Sequence, residues 1–179
     1  ETNNVVTHIY VSSIHFGKDI DNNPYIHLNN DDINSTVYES LWNELSIANS
    51  KGINIVFMIG GAGYAYQELF SDYKPYYNLL KETINKYMFI SGVDLDVEEK
   101  KHIDEIKRLI NNLKTDFGIH FTISMAPIAS SLESDYPGMS EFVYKELYNS
   151  PEGKLIDWFN VQFYDGYDIE TYENIIKNN

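Results

Sequence analysis

The sequence predicts an α/β fold, a parallel sheet covered by helices. Three observations lead there. Apolar, β-branched runs alternate with stretches of helical period, strand then helix, five times along 179 residues. The run Ile53–Ile59 (INIVFMI) is almost continuously apolar, the mark of a strand buried on both faces. Polar or Gly-rich breaks follow the strands at Ser12–Gly17, Gly60–Gly63, Asp94–Glu99, Ala126–Ser131 and Gln162–Asp165. An open doubly wound sheet and a section of a (βα)8 barrel both fit, and both place their sites at the carboxyl ends of strands.

Val5–Val11 is β-branched and aromatic, a strand. Gly17–Asp32 is polar and turn-rich, and reads as a connection. Thr36–Ser50 carries Val37, Leu41, Leu45 and Ala48 at helical spacing, with Gly52 just beyond its end. After the Ile53–Ile59 strand come a short helix, Tyr64–Phe70, and a longer one, Tyr73–Tyr87. Met88–Val97 is the next strand. Lys100–Phe117 is the clearest helix: Ile103, Ile106, Leu109, Ile110 and Leu113 form one stripe, and Gly118 closes it. Ile119–Ala126 is a strand ended by Pro127, Ser140–Asn149 a helix, Asp157–Tyr164 a strand and Asp168–Lys177 a helix. No linker or repeat divides the chain, so residues 1–179 read as a single domain.

Composition narrows the function classes. A formal charge of −14 and a pI of about 4.6 argue against nucleic acid and anionic membranes, which basic patches bind. The chain has no cysteine, so thiolate chemistry and disulfides are excluded. No apolar run approaches the roughly 20 residues of a membrane span. The chain opens ETNN, as expected of a mature product, a trimmed chain or a fragment. Asn34-Ser35-Thr36 is a glycosylation acceptor triplet.

The informative stretch is Ser91–Glu99, SGVDLDVEE. Asp94, Asp96 and Glu98 alternate with Val93, Leu95 and Val97, and alternation on a strand puts the three carboxylates on one side. Carboxylates this close cannot all ionise cheaply, so at least one is expected to hold its proton, as a general acid must. A solvated strand edge and a divalent-cation site are the competing readings.

These residues resemble a known family. Gly92–Glu98 is similar to the D-G-x-D-x-D-x-E signature of glycoside hydrolase family 18, the chitinases and endo-N-acetylglucosaminidases. Four further segments agree in order. Ile9–Phe16 resembles the family's second barrel strand, and Met58–Gly63 the Gly-Gly end of the third. Ser124–Pro127 resembles the fifth and Val161–Asp165 the sixth. The set looks most like a fungal-type branch. The resemblance implies a TIM (β/α)8-barrel type of fold that is incomplete in this chain. About five βα units are present, and the first strand and last two strands are missing, since a full barrel takes about 250 residues. The missing strands are then expected on sequence outside these residues, or from another chain or segment completing the barrel. Failing both, the chain is a reduced open sheet that binds rather than cuts.

The resemblance also implies a chemistry: hydrolysis of β-1,4 linkages between N-acetylglucosamine units, in chitin or the chitobiose core of N-glycans. It is a retaining route assisted by the substrate, an exception to the two-carboxylate scheme. Glu98 matches the proton donor. Asp96 matches the residue that orients the acetamide and stabilises its developing charge. Asp94 matches the inner carboxylate sharing charge with Asp96, and Tyr164 the hydroxyl on the acetamide oxygen. Gly61, Met125, Gln162 and Asp165 match positions around the sugar site. Packing is the competing role for Gly61 and Met125, and turn capping for Asp165. His15 and His27, near strand ends, read as structural. No metal or cofactor is implied, and the partner is an N-acetylglucosamine-containing oligo- or polysaccharide in a secreted or extracellular setting. A lectin-like binder with weak or no catalysis is the alternative on the same cleft.

Two departures stand out. Ser91 replaces the signature's first Asp. The Trp that floors the reacting sugar in the family has no counterpart, because Trp42 falls in a helix and Trp158 before the sixth-strand segment.

Overall fold

Strand β5, Ile90–Asp96, is buried over nearly its whole length, with Val93 and Leu95 fully enclosed on one side and Asp94 and Asp96 at 3% and 7% exposure on the other. The computed structural model describes residues 6–164 and 166–178. The chain divides into two compact units, Glu1–Asp94 and Leu95–Asn179, with the boundary inside β5.

In the first unit, β1 (His8–Lys18) pairs in parallel with β4 (Asn54–Gly60) and antiparallel with β2 (Pro24–Leu28), which pairs with β3 (Asp31–Asp32). The strand expected over Val5–Val11 is displaced: Val5 lies outside the described residues, and the strand runs on through Ser12–Gly17 to Lys18. The reason is the hairpin partner. Ile14, Phe16, Ile26 and Leu28 alternate inward and are buried, while His15 and His27 lie opposite each other on the other face. The polar stretch expected to be a plain connection therefore contains two strands. Asp19 makes the intervening turn, its carboxylate accepting from the backbone of Asp21 and Asn23.

Helix α1 is Glu39–Ser50, preceded by a 3-10 turn at Thr36–Tyr38 that Ser35 caps. Its buried residues are Trp42 and Leu45, and Trp42 stacks on Tyr87 at 4.4 Å between ring centres. Val37, expected in the stripe, is 64% exposed. Strand β4 is buried on both faces as its apolar run predicts, with Ile55, Val56, Phe57 and Ile59 at 0% exposure. Helices α2 (Ala65–Ser71) and α3 (Tyr73–Lys86) follow, and α3 buries Tyr76, Tyr77, Leu80 and Ile84 at helical spacing.

In the second unit, α4 (Ile103–Phe117) buries Ile106, Leu109, Ile110 and Leu113. It starts three residues later than its pattern suggests, because His102 caps it and Glu105 returns a bond to the His102 backbone, a capping box. Strand β6 is Thr122–Met125; the expected first residues, Ile119 to Phe121, are held as a turn by Lys114. A short helix α5 (Ser130–Glu133) and a 3-10 turn at Gly138–Ser140 precede α6 (Tyr144–Asn149). Strand β7 is Trp158–Phe159, parallel to β6, and α7 is Ile169–Asn178. The ladder continues past β7 without being regular strand: Asn160 donates to the Met125 carbonyl at 2.7 Å, and Gln162 to that of Pro127 at 2.9 Å. Among the described residues, no helix is long and apolar enough to cross a membrane.

Candidate active site

The end of β5 and the segment after β7 meet on either side of β6 in the second unit. The Ala126 amide donates to the Leu95 carbonyl at 3.1 Å, which fixes β6 against β5. The parallel bridge between Ile128 and Gln162 fixes the third segment against the end of β6. Three carboxyl-terminal ends thus lie side by side, the position where such folds carry their chemistry.

Gln162 is the centre of the cluster. Its Nε2 has two protons for three acceptors within bonding distance, the Ala126 carbonyl at 2.9 Å, Asp96 Oδ1 at 3.0 Å and Glu98 Oε1 at 3.3 Å, so the longest contact shares a proton with another. Its Oε1 accepts from the Tyr164 hydroxyl. Asp96 is 7% exposed, Glu98 half-buried and Tyr164 57% exposed. The buried member is thus compensated by a protein donor, as a carboxylate out of water requires. The outer members remain within reach of a ligand. Asp96, Glu98, Gln162 and Tyr164, read separately from the sequence, are one hydrogen-bonded group.

The other expected residues fall elsewhere. Met125 is 0% exposed, in the core of the second unit, where its carbonyl accepts from Asn160. Asp165 lies outside the described residues. Asp94 and Gly61 belong to the first unit. Asp94 is 3% exposed, two residues before Asp96 on the same strand. Gly61 has φ +80°, in the left-handed region that a side chain disfavours, so backbone geometry alone accounts for glycine there. Ser91 ties the start of β5 to β4, its Oγ donating to the Ile55 carbonyl and accepting from the Ile55 amide, both at 3.1 Å.

What sequence reasoning missed is the bridging role of Gln162, placed only around a sugar. The available signal was spacing: Gln162 and Tyr164 alternate as Asp96 and Glu98 do. Among the described residues, no group of three or more His, Asp or Glu is arranged to hold a metal ion. Two surface hollows of about 490 and 350 Å³ lie around α6, and neither is lined by Asp96, Glu98 or Gln162. What the cluster offers chemically is a reachable carboxyl group, a buried carboxylate one alternation deeper and a hydroxyl donor.

The sequence matches the family model of glycosyl hydrolases family 18 over residues 3–177. No curated protein matches the chain. Among solved structures, a chitinase from Aspergillus fumigatus shares 33% identity with a TM-score of 0.88, over 98% of this chain and 64% of that one. A fungal endo-beta-N-acetylglucosaminidase of the same family shares 34% with a TM-score of 0.86, over 99% of this chain and 65% of that one. A family 18 chitinase from Pseudoalteromonas aurantia, at 18% identity and a TM-score of 0.70 over 96% of this chain and 68% of that one, shares the fold. The chain thus spans a little under two thirds of the two fungal structures. With Asp96 and Glu98 at the end of β5 and a match over nearly its whole length, the chain belongs to glycosyl hydrolases family 18 and has the incomplete barrel-type α/β fold of that family.

Proposed function

We propose that this chain carries the acid–base centre of a glycosidase acting on β-1,4-linked N-acetylglucosamine, in chitin or the chitobiose core of N-glycans. The observation that carries the reading is the hydrogen-bonded group of Asp96, Glu98, Gln162 and Tyr164. Glu98, the carboxyl within reach of solvent, gives its proton to the glycosidic oxygen as the bond to the anomeric carbon breaks. The carbonyl oxygen of the substrate's own N-acetyl group attacks that carbon from the other face, forming an oxazolinium ion with retention after the second step. Asp96 accepts from the acetamide N–H and stabilises the positive charge that develops there. Tyr164 donates to the acetamide oxygen and aims it. Glu98, now deprotonated, takes a proton from the water that opens the oxazolinium. Support also comes from the two fungal structures that the chain resembles at 33% and 34% identity, a chitinase and an endo-beta-N-acetylglucosaminidase.

The test is release of chromophore from a chromogenic chitobioside by the wild-type chain and by Glu98→Gln. Loss of the general acid lowers kcat by at least about a hundredfold, with KM little changed. Wild-type turnover no higher than that of Glu98→Gln, with both binding chitin oligomers, makes the chain a binder and overturns the enzyme reading.

A further inference from the structure

Of the chain's many asparagines, only Asn34 begins an Asn-X-Ser/Thr triplet, Asn34-Ser35-Thr36. The structure places it in a turn of the first unit, just past β3, the outermost strand of its sheet. Asn34 and Thr36 are both exposed. The Asn34 amide donates to Asp32 Oδ1 at 2.7 Å, and Asn34 Oδ1 accepts from Lys86 Nζ at the end of α3. The Asn34 Nδ2 and the Thr36 hydroxyl bond no described residue. Ser35 differs: its Oγ accepts from the Val37 amide at 3.4 Å and caps the 3-10 turn. The fold thus employs the middle hydroxyl and leaves unused the two groups that the triplet's chemistry needs. Backbone geometry does not call for asparagine here either. Asn22 and Asn29 have φ of 64° and 52°, the left-handed region that asparagine tolerates, and Asn34 has no positive φ.

We propose that Asn34 is a site of N-linked glycosylation. The donor is a lipid-linked pyrophosphoryl oligosaccharide. Asn34 Nδ2 forms a bond to the anomeric carbon of its first sugar and loses one proton. The bond from that carbon to the pyrophosphate oxygen breaks, and the pyrophosphoryl lipid leaves with the electron pair. Nothing is oxidised or reduced. The Thr36 hydroxyl is the group by which the transferase recognises the acceptor. The product suits the fold. Oδ1 remains a carbonyl oxygen and keeps its bond from Lys86, while Nδ2 gives up no bond to a described residue. The position also gives the sugar something to do. Strand β3 pairs with β2 alone, so its outer edge is open to pairing with another chain. A bulky hydrated group beside the end of that strand blocks such pairing. Val37, three residues on, is 64% exposed, an apolar side chain that a sugar ring can cover. The modification commits the chain to a route through a compartment that holds the transferase and its lipid-linked donor.

The experiment is expression of the full chain behind a secretion leader in yeast, with peptide mass spectrometry of both the secreted and the cell-retained protein. Reading both fractions keeps the result visible if a variant folds poorly and stays in the cell. Lys18 and Lys51 bracket one tryptic peptide, Asp19–Lys51, that contains the triplet. In the wild type this peptide is expected to gain the mass of at least one N-acetylhexosamine, with fragment ions placing it on Asn34. Release of longer chains by a peptide N-glycosidase in heavy-oxygen water should leave labelled Asp at that position. Asn34→Gln removes the acceptor nitrogen, and Thr36→Val removes only the hydroxyl while Asn34 stays in place. Both are expected to abolish the added mass, and Thr36→Ser to retain it. An unmodified Asn34 peptide in both wild-type fractions, with a reporter glycoprotein from the same cells modified, overturns the proposal. So does an added mass that persists in Thr36→Val, since the sugar would then not depend on the triplet. Neither outcome bears on Glu98 or on the reading of the acid–base group.

Discussion

Lys114 shows how much a single buried cation can hold. Its side chain is 6% exposed, and all three ammonium protons are used: on the carbonyls of Ile119 and Phe121, at 3.1 and 2.7 Å, and on Asp157 Oδ2 at 3.0 Å. The same Asp157 oxygen accepts from the Ile123 amide at 2.8 Å. The group ties the last turn of α4 to the start of β6 and to the residue before β7. Lys114→Met keeps the aliphatic stem but strands two carbonyls and removes the charged partner of Asp157, which keeps the Ile123 amide. Asp157 is 39% exposed, so water takes up part of the loss, and a cost of about 2–4 kcal/mol is expected in urea unfolding. In a double-mutant cycle, Asp157→Asn should cost much less in the Lys114→Met background. A single-variant cost under about 0.5 kcal/mol, that of an ordinary surface change, sinks the argument. Nothing in the sequence marked Lys114, since one lysine beside an apolar stripe reads as solvated. Asp96 and Glu98 were legible for the opposite reason: acidic residues alternating in an apolar strand conflict with local preference, and such conflicts point to sites.

Among the elements, those with strong periodicity were legible and those made by pairing were not. Helix α4 and strand β4 follow from pattern alone, because each buries a stripe or both faces by itself. The β2–β3 hairpin was hidden because Pro24–Leu28 is only five residues long and flanked by Asn and Asp; its alternation of Ile26 and Leu28 with Tyr25 and His27 was the sole signal. Strand β7 has two residues, too few for any period, and its extension to Gln162 is set by backbone bonds to β6. The turn after α6 carries a constraint that periodicity cannot reveal. A Cβ added at Gly153 would lie 1.9 Å from the Leu147 carbonyl oxygen and 2.6 Å from its carbon. Both are backbone atoms, so the 3-10 turn at Gly153–Leu155 or the end of α6 would have to move. Gly153→Ala is expected to cost about 2–3 kcal/mol in thermal unfolding. Gly118→Ala is the comparison: its φ is +88° but nothing lies within 4 Å, so only backbone strain of about 1 kcal/mol opposes it. Equal costs for the two would remove close backbone approach as the reason for Gly153.

For the whole molecule, the dominant quantity is a formal charge of −14. Mild acidification relieves that self-repulsion and by itself favours the folded state. His15 works against this trend. Its ring stacks on His27 at 5.5 Å between centres, and Nε2 bonds Ser13 Oγ at 2.9 Å. Burial, and secondarily the neighbouring charge of a protonated His27, hold its pKa below the usual 6.5, while a hydrogen bond to the Gly60 backbone works the other way. A histidine whose folded-state pKa is depressed binds its proton more readily when unfolded. Its contribution is therefore intact above about pH 6.5 and is lost progressively as pH falls from there toward the folded-state value. The carboxylates whose pKa is lowered, Asp19 and Asp168, titrate below their ordinary 3.8, so they leave this window clear. Urea unfolding at pH 7.5 and pH 5.5 separates the two effects. Replacing His15 by Asn removes the titrating ring and leaves only the charge-relief trend. Wild type should then lose stability between the two pH values relative to His15→Asn, whatever the absolute stability of either. Parallel changes in the two proteins would mean that the His15–His27 pair accepts its proton without cost, and that the strand end it occupies is open to water.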